Sequence, residues 1–266
     1  MTTYGINIFL AIIAAIFIIG CEDDNAIRAV NGDEPGRMVM YIVDAPTDHL
    51  SEVNIIVGSV EVHSESDGWF ITREEPDTID LLELKNGQTA VLSDTALPAG
   101  HYTQIRLHVE EGSYVITEGE RYDLIIPSAF QTGVKLVGEF NVESDQRVDV
   151  LLDFDVHRSI QHTDDGYRLQ PTIRFQVLDV AGDLAGIVEP PEARALIAVS
   201  QGGEVITTTY ADEVTGEFKV VGLASGSYTV LVVSREDESV FADFTGVEIE
   251  RNTTTDLGTI TLEMND

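Results

Sequence analysis

Tyr102-Thr103-Gln104-Ile105-Arg106-Leu107-His108-Val109 sets apolar Ile105, Leu107 and Val109 on one parity and polar residues on the other. A period of two sends successive side chains to opposite faces of a strand, so this segment buries one face and wets the other. RVDVLLDFD, from Arg147 to Asp155, repeats the pattern through Val148, Val150 and Leu152. Outward from these two, runs rich in Val, Ile, Thr and aromatics recur between Gly, Pro, Asp or Asn. They are MVMYIV from Met38, VNIIVGSVEVH from Val53, GWFIT from Gly68, YDLIIP from Tyr122, VKLVGEFNV from Val134 and LQPTIRFQVLD from Leu169. Short runs punctuated in this way predict an all-β protein. Long amphipathic periodicity is absent, and one short helix is expected near Ile79 to Leu84. The pattern breaks around Asp179-Val180-Ala181-Gly182-Asp183, and a second group of strands follows through Glu263. The expected fold is two antiparallel β-sandwich domains, at 37–182 and 183–266.

The chain has 266 residues and a formal net charge of −32, from 47 acidic residues against 15 basic ones. So acidic a surface repels the phosphate backbone, which argues against a nucleic-acid partner. A single cysteine excludes a disulfide scaffold and any multi-cysteine metal site. Hydrophobic content of 43% is ample for packed cores, so the charge belongs to the surface of a folded chain. Three lysines beside twelve arginines, with acid spread over both halves, resemble the surfaces of proteins from saline habitats, where salt screens carboxylate repulsion.

That one cysteine, Cys21, ends an uncharged apolar run, IFLAIIAAIFIIG from Ile8 to Gly20. Thirteen residues fall short of the roughly 20 that a spanning helix needs and fit the hydrophobic region of a secretory signal. Ile18-Ile19-Gly20-Cys21 resembles the lipobox of bacterial lipoproteins, whose cysteine is acylated and becomes the mature N-terminus. Two departures are Ile at the first lipobox position and the lack of Lys or Arg in residues 1–7. Glu22-Asp23-Asp24 after the cysteine resembles the surface-export signal of Bacteroidota lipoproteins. The resemblance implies a signal peptide at 1–20, a membrane partner reached through acylated (palmitate-bearing) Cys21, and an acidic tether at 21–36. It places the folded part outside the cytoplasm, on the outer membrane and exposed at the cell surface.

Two segments echo each other. Leu97-Pro98-Ala99-Gly100-His101-Tyr102-Thr103 and Leu223-Ala224-Ser225-Gly226-Ser227-Tyr228-Thr229 share L-x-x-G-x-Y-T before a hydrophobic strand. The tyrosine is expected to bury its ring and keep its hydroxyl at the sandwich edge. Convergence on a common turn and duplication both account for the echo. Gly202-Gly203 is expected to be a hairpin turn, since no Gly-Lys-Ser/Thr or following helix accompanies it to make a phosphate cradle.

Leu184 to Asp266 resembles the carboxypeptidase regulatory-like domain, a small transthyretin-like sandwich. Gly186-Ile187-Val188, Ala195-Leu196-Ile197-Ala198-Val199, Ala211-Asp212, Thr215-Gly216-Glu217-Phe218, Gly222-Leu223 and Gly226-Ser227-Tyr228 carry the match in order. It implies a spacer or interaction module, with Phe218 pointing inward from a hairpin turn. Met38 to Val180 resembles the domain of unknown function family 4382. The matching series runs from Asp44-Ala45-Pro46 through Gly68-Trp69, Ile79-Asp80-Leu81-Leu82, Asn86-Gly87 and Leu97-Pro98-Ala99-Gly100 with Tyr102. It continues through Gln104-Ile105-Arg106-Leu107, Pro127-Ser128, Gln131-Thr132-Gly133 and Leu152-Asp153-Phe154-Asp155, and ends at Leu169-Gln170-Pro171-Thr172-Ile173. That family implies secreted or surface proteins and no established activity.

Asp153-Phe154-Asp155 is the most suggestive chemical motif. Residues two apart share a strand face, so both carboxylates could converge on calcium while Phe154 packs inward, with Asp164, Asp165 and Asp44 completing the shell. The plainer reading is a solvated strand end, or pairing of one aspartate with Arg106 or Arg158. No other cofactor is expected. His49, His63, His101, His108, His157 and His162 show no zinc spacing. Asp155, His157 and Ser159 are the residue types of a nucleophilic triad, but no G-x-S-x-G elbow accompanies them, and no enzyme is expected. Trp69 and Phe70 are consecutive in a strand, so one ring faces the core and the other the surface. Trp69 is expected in the core, with a sugar-stacking platform as the alternative. The expected function is a non-catalytic, surface-anchored binding or structural module of the bacterial envelope. Its alternatives are a carbohydrate-binding module, an adhesin or envelope-assembly component, and a calcium-dependent binder, with a glycan or a surface protein as partner.

Overall fold

The computed structural model describes residues 34–45, 50–130, 132–238 and 241–263. In chain order the first sandwich uses β1 (Gly36–Ala45), β2 (Glu52–Ser64), β3 (Gly68–Arg73), β4 (Asp77–Asp80), β5 (Ala90–Leu97), β6 (Gly100–Val109) and β7 (Tyr114–Thr117). It continues through β8 (Glu120–Asp123), β9 (Val134–Val142), β10 (Arg147–Asp155), β11 (Ile160–Thr163), β12 (Gly166–Leu169) and β13 (Ile173–Val177). The second uses β14 (Ala181–Glu189), β15 (Leu196–Gln201), β16 (Glu204–Tyr210), β17 (Glu217–Ala224), β18 (Gly226–Val233), β19 (Phe241–Ile249) and β20 (Thr254–Thr261).

The alternation builds the cores directly. Met38, Met40 and Ile42 of β1, Ile105 and Leu107 of β6, and Val150, Leu152 and Phe154 of β10 are all fully buried between a sheet ordered β13-β10-β1-β5 and one ordered β8-β7-β2-β6-β9. β3 and β4 also pair with β2. Burying each such side chain contributes about 1.5–3 kcal/mol before conformational entropy is set against it. A separate core, with Leu184, Ile197, Val199, Leu223, Val230 and Val232 fully buried, fills the second sandwich between β17-β14-β20 and β16-β15-β18-β19. Phe218 is buried in it, as expected, but the expected hairpin turn before it is a crossover, since β16 and β17 belong to different sheets.

The two sandwiches share one topology. β1 lies between antiparallel β5 and parallel β10, and β14 lies between antiparallel β17 and parallel β20. In the opposing sheets β2-β6-β9 and β15-β18-β19 run antiparallel throughout, with hairpin partners β3 and β16. The parallel pairs depart from purely antiparallel sandwiches because the first strand of each unit meets a later one, β10 or β20, in its own sheet after the chain has crossed between layers. Fine structure repeats as well. A Cβ on Gly36 would lie 2.3 Å from the Glu143 carbonyl, and one on Gly182 would lie 2.2 Å from the Glu250 carbonyl. The next residues, Arg37 and Asp183, each donate a backbone N–H at 2.8 Å to the same turns, at Gln146 and Thr253. Both turns carry a left-handed Asp or Asn, Asp145 (φ 57) and Asn252 (φ 56), the residue types that tolerate this conformation.

Several elements differ from expectation. The short helix near Ile79 is a 3-10 turn at Leu81–Leu84, capped by the Asp80 carboxylate, which accepts from the Leu82 N–H. YDLIIP yields a strand only to Asp123, and Ile125 makes a single bridge to Arg168. LQPTIRFQVLD divides into β12 and β13 around Pro171, which has no N–H to donate to a ladder. β5 was not foreseen, because Ser93, Asp94 and Thr95 interrupt its apolar run.

The outer face of the β1-β10 sheet meets the second sandwich. Leu151 is fully buried and would touch a Cβ on Gly222. Arg174 of β13 donates to both Asp153 and the Gly222 and Val221 carbonyls. Asn86 adds three bonds to the second sandwich: its N–H to Thr209, its side-chain amide to the Glu217 carbonyl, and its side-chain oxygen from the Lys219 N–H. One outer face of the first sandwich is therefore covered. The other, on the β2-β6 sheet, faces solvent.

Candidate functional site

Cross-strand register orders that open face into rungs. One rung reads Trp69, His63, Gln104, Val137 across β3, β2, β6 and β9; the next reads Ile71, Glu61, Arg106, Lys135. Their inward neighbours, Val62, Ile105 and Phe70, belong to or pack on the core. At the rung ends Ile71 is 54% and Val137 84% exposed.

Trp69 is therefore not a core residue, against expectation. In the β2-β3 register Phe70 pairs with buried Val62 and packs toward Tyr102, with ring centroids 6.1 Å apart, so Trp69 must point outward. Its indole is half-buried, with the Arg106 guanidinium 3.9 Å from the ring centroid and the His63 ring edge-on at 5.0 Å. Arg106 also donates to Glu61 at 2.7 Å, and His108 Nε2 lies 3.4 Å from the same carboxylate. Gly133 makes room, since a Cβ there would lie 2.5 Å from Arg106 Cγ. The indole is thus fixed by a cation on its face and an imidazole at its edge. Sequence reasoning did not single out His63, Glu61, Gln104, Arg106 or Lys135 as site residues. The usable signal was parity, since each sits on the polar phase of its strand.

Asp153 and Asp155 share the outward face of β10 and Phe154 is buried, as the spacing predicts. The two carboxylates do not converge. Asp153, 5% exposed, pairs with Arg174 at 2.9 Å. Asp155 caps the single helical turn Val156–Ser159 by accepting from the Arg158 N–H and lies 3.4 Å from the Arg158 guanidinium. Burial raises its pKa, opposed by those two contacts. Asp44 lies on the opposite, inward face with Phe154, and Asp164 and Asp165 are exposed in the turn between β11 and β12. Among the described residues, no three His, Cys, Asp or Glu side chains are grouped to hold a metal ion. The calcium shell drawn from Asp153, Asp155, Asp164 and Asp165 is thus not assembled.

The triad residue types are also kept apart. His157 is exposed, whereas the Ser159 hydroxyl is buried and accepts from the Thr172 N–H at 2.8 Å. A cleft of about 480 Å³ lies at the junction of the sandwiches. Its carboxylates are already paired, Asp149 with Arg147 and Asp183 with Lys219. Cys21 and the signal segment lie outside the described residues, as does His49. No helix among the described residues is long and apolar enough to cross a membrane.

No curated protein matches the chain. Among solved structures it is similar to the Bacillus anthracis TIE protein, at 13% identity and a TM-score of 0.25, over 87% of this chain and 35% of that one. The chain thus spans about a third of that protein's length. It is also similar to GBS52, the minor pilin of Streptococcus agalactiae, at 12% identity and a TM-score of 0.22, over 86% of this chain and 97% of that one. A double mutant of the shaft pilin SpaA from Lactobacillus rhamnosus GG aligns at 8% identity and a TM-score of 0.25, over 88% of this chain and 98% of that one. Residues 35–171 match the family described as a domain of unknown function, DUF4382. That span takes in more than half of the 266 residues, and the chain belongs to the DUF4382 family.

Proposed function

We propose that this protein is a non-catalytic binding module of the bacterial cell envelope, held on the membrane by acyl chains at Cys21 and presenting the Trp69 face of its first sandwich. The observation that carries the reading is the open β2-β6 face, where Trp69, Ile71 and Val137 stand among His63, Gln104, Arg106 and Lys135. The other face of that sandwich is bonded to the second unit through Arg174 and Asn86 and is covered by it. The anchor rests on the lipobox-like Ile18-Ile19-Gly20-Cys21 after its apolar run, with each buried CH₂ of an acyl chain contributing about 0.8 kcal/mol.

Replacing Cys21 with alanine and fractionating cells tests the reading. The protein is expected to leave the membrane fraction. Membrane association unchanged by the substitution would overturn the anchor.

A further inference from the structure

We infer that the Trp69 face binds an anionic polysaccharide, one whose sugars carry carboxylates. The inference rests on the reading of this face as the binding surface and adds the ligand class.

Three observations lead to it. The first is the mixture of side chains. A pyranose offers an apolar C–H face and a rim of hydroxyls, which suit an aromatic ring beside planar hydrogen-bonding groups. Trp69 with Val137 and Ile71 supplies apolar surface, and Gln104 and His63 on the Trp69 rung supply donors and acceptors. The second is rigidity. Arg106 on the ring face and His63 at its edge hold the indole before any ligand arrives, so little side-chain entropy is lost on binding.

The third is charge. In a protein of net charge −32, Arg106 of these two rungs is paired with Glu61 at 2.7 Å, which leaves Lys135 as their uncompensated charge. Most other arginines are likewise locked to carboxylates, as in Arg37 with Asp94, Arg73 with Asp77 and Arg147 with Asp149. Lys135 is exposed and makes no ion pair among the described residues. A neutral glycan gains only a hydroxyl hydrogen bond from that ammonium, whereas a uronate carboxylate adds charge attraction on a surface that otherwise repels anions. Four strands at their usual spacing make the platform about 14 Å wide, room for a run of sugars.

The test is calorimetric titration of the full-length, detergent-solubilised protein with oligogalacturonate, oligomannuronate and uncharged maltooligosaccharide. Binding is expected to one or both uronates, weakening as salt rises, with the neutral sugar much weaker. Trp69→Ala is expected to lower affinity about tenfold, the loss of one ring contact. Lys135→Ala, at an exposed position where folding is not at risk, is expected to lower it several-fold and to flatten the salt dependence. Failure of both uronates to bind would overturn the inference, as would equal affinity for the neutral sugar or affinity unmoved by both substitutions. A protein that leaves the membrane on Cys21→Ala yet binds neither uronate would refute the ligand class and leave the anchored-module reading standing.

Discussion

Tyr102 and Tyr228 make the same hydrogen bond in two different sandwiches. Each hydroxyl donates to the carbonyl four residues upstream, Tyr102 to Pro98 at 2.9 Å and Tyr228 to Ala224 at 2.8 Å. Each tyrosine stands near the start of the strand that follows a short crossover from one sheet to the other, β5 to β6 or β17 to β18. Burial raises the pKa of both phenols, so neither is ionised at neutral pH and each keeps the proton it donates. Together with the matched glycines at 36 and 182, this shows that the sequence echo marks the same local structure in both sandwiches.

Tyr102→Phe and Tyr228→Phe are therefore expected to cost similar amounts, each about 0.5–1.5 kcal/mol for one lost hydrogen bond. Tyr102→Ala is expected to cost about 3–5 kcal/mol, because it also empties a site against which Phe140 stacks at 5.1 Å. Denaturant unfolding measures both. A neutral Tyr228→Phe beside a costly Tyr102→Phe would show that the two corners are not equivalent.

How far the sequence was legible depended on the range of the interaction that decides each residue. Ile105, Leu107 and Val150 declare their buried faces within a few residues of chain, and they are buried. The L-x-x-G-x-Y-T turns are local too. Trp69 was misplaced because its direction is set by register with Val62 and His63 on the neighbouring strand, which alternation over Trp69-Phe70 alone does not fix. Pairing of Asp153 with Arg174, across 21 positions, was beyond local pattern, whereas pairing of Asp155 with Arg158 three residues on was within reach. The Trp69 platform was the least legible, since its rungs draw on four strands spread over most of the first sandwich.

Arg174 couples the sandwiches, and its loss should be felt on both sides. Arg174→Met leaves Asp153 with a buried, unpaired charge, at a cost of about 3–5 kcal/mol, and removes the bonds to the Gly222 and Val221 carbonyls. Arg174→Lys is expected to recover only part, because an ammonium cannot reproduce the guanidinium fork. Adding Asp153→Asn to Arg174→Met should recover the part of the loss due to the orphaned charge, but not the part due to the Gly222 and Val221 carbonyls. Calorimetry is expected to show the wild-type transition splitting in Arg174→Met, and an unsplit, unshifted transition would remove Arg174 from this role.

Calcium is expected to leave the thermal midpoint where magnesium leaves it at equal ionic strength. Asp153 and Asp155 are held by Arg174 and Arg158, and a cation would have to displace both guanidinium groups before reaching the carboxylates. A calcium-specific rise in midpoint that is lost in Asp153→Asn would refute this and re-establish the oxygen shell.

Asp44 carries the clearest pH dependence. It is 3% exposed, one oxygen accepts from the Val156 N–H at 3.2 Å, and the other is buried with no hydrogen-bond partner among the described residues. Burial pushes its pKa well up, the negative charges of Asp153, Asp155 and Asp80 push the same way, and the Val156 N–H opposes them. The folded state therefore holds the proton over a pH range in which the unfolded chain has already released it. Stability falls as pH rises through that range, from the ordinary carboxylate value to the raised one, and above it the penalty is constant. Asp44→Asn keeps an oxygen for Val156 and removes the charge. It is expected to be more stable than the wild type at neutral pH, because no charge is buried and no proton need be taken up on folding, although its amide nitrogen takes over the unpartnered position. The gap should close as pH drops below the ordinary carboxylate range, where Asp44 is protonated in both states. Denaturant titrations across pH measure the difference, and an Asp44→Asn protein less stable at neutral pH would show that the charge is compensated in the fold.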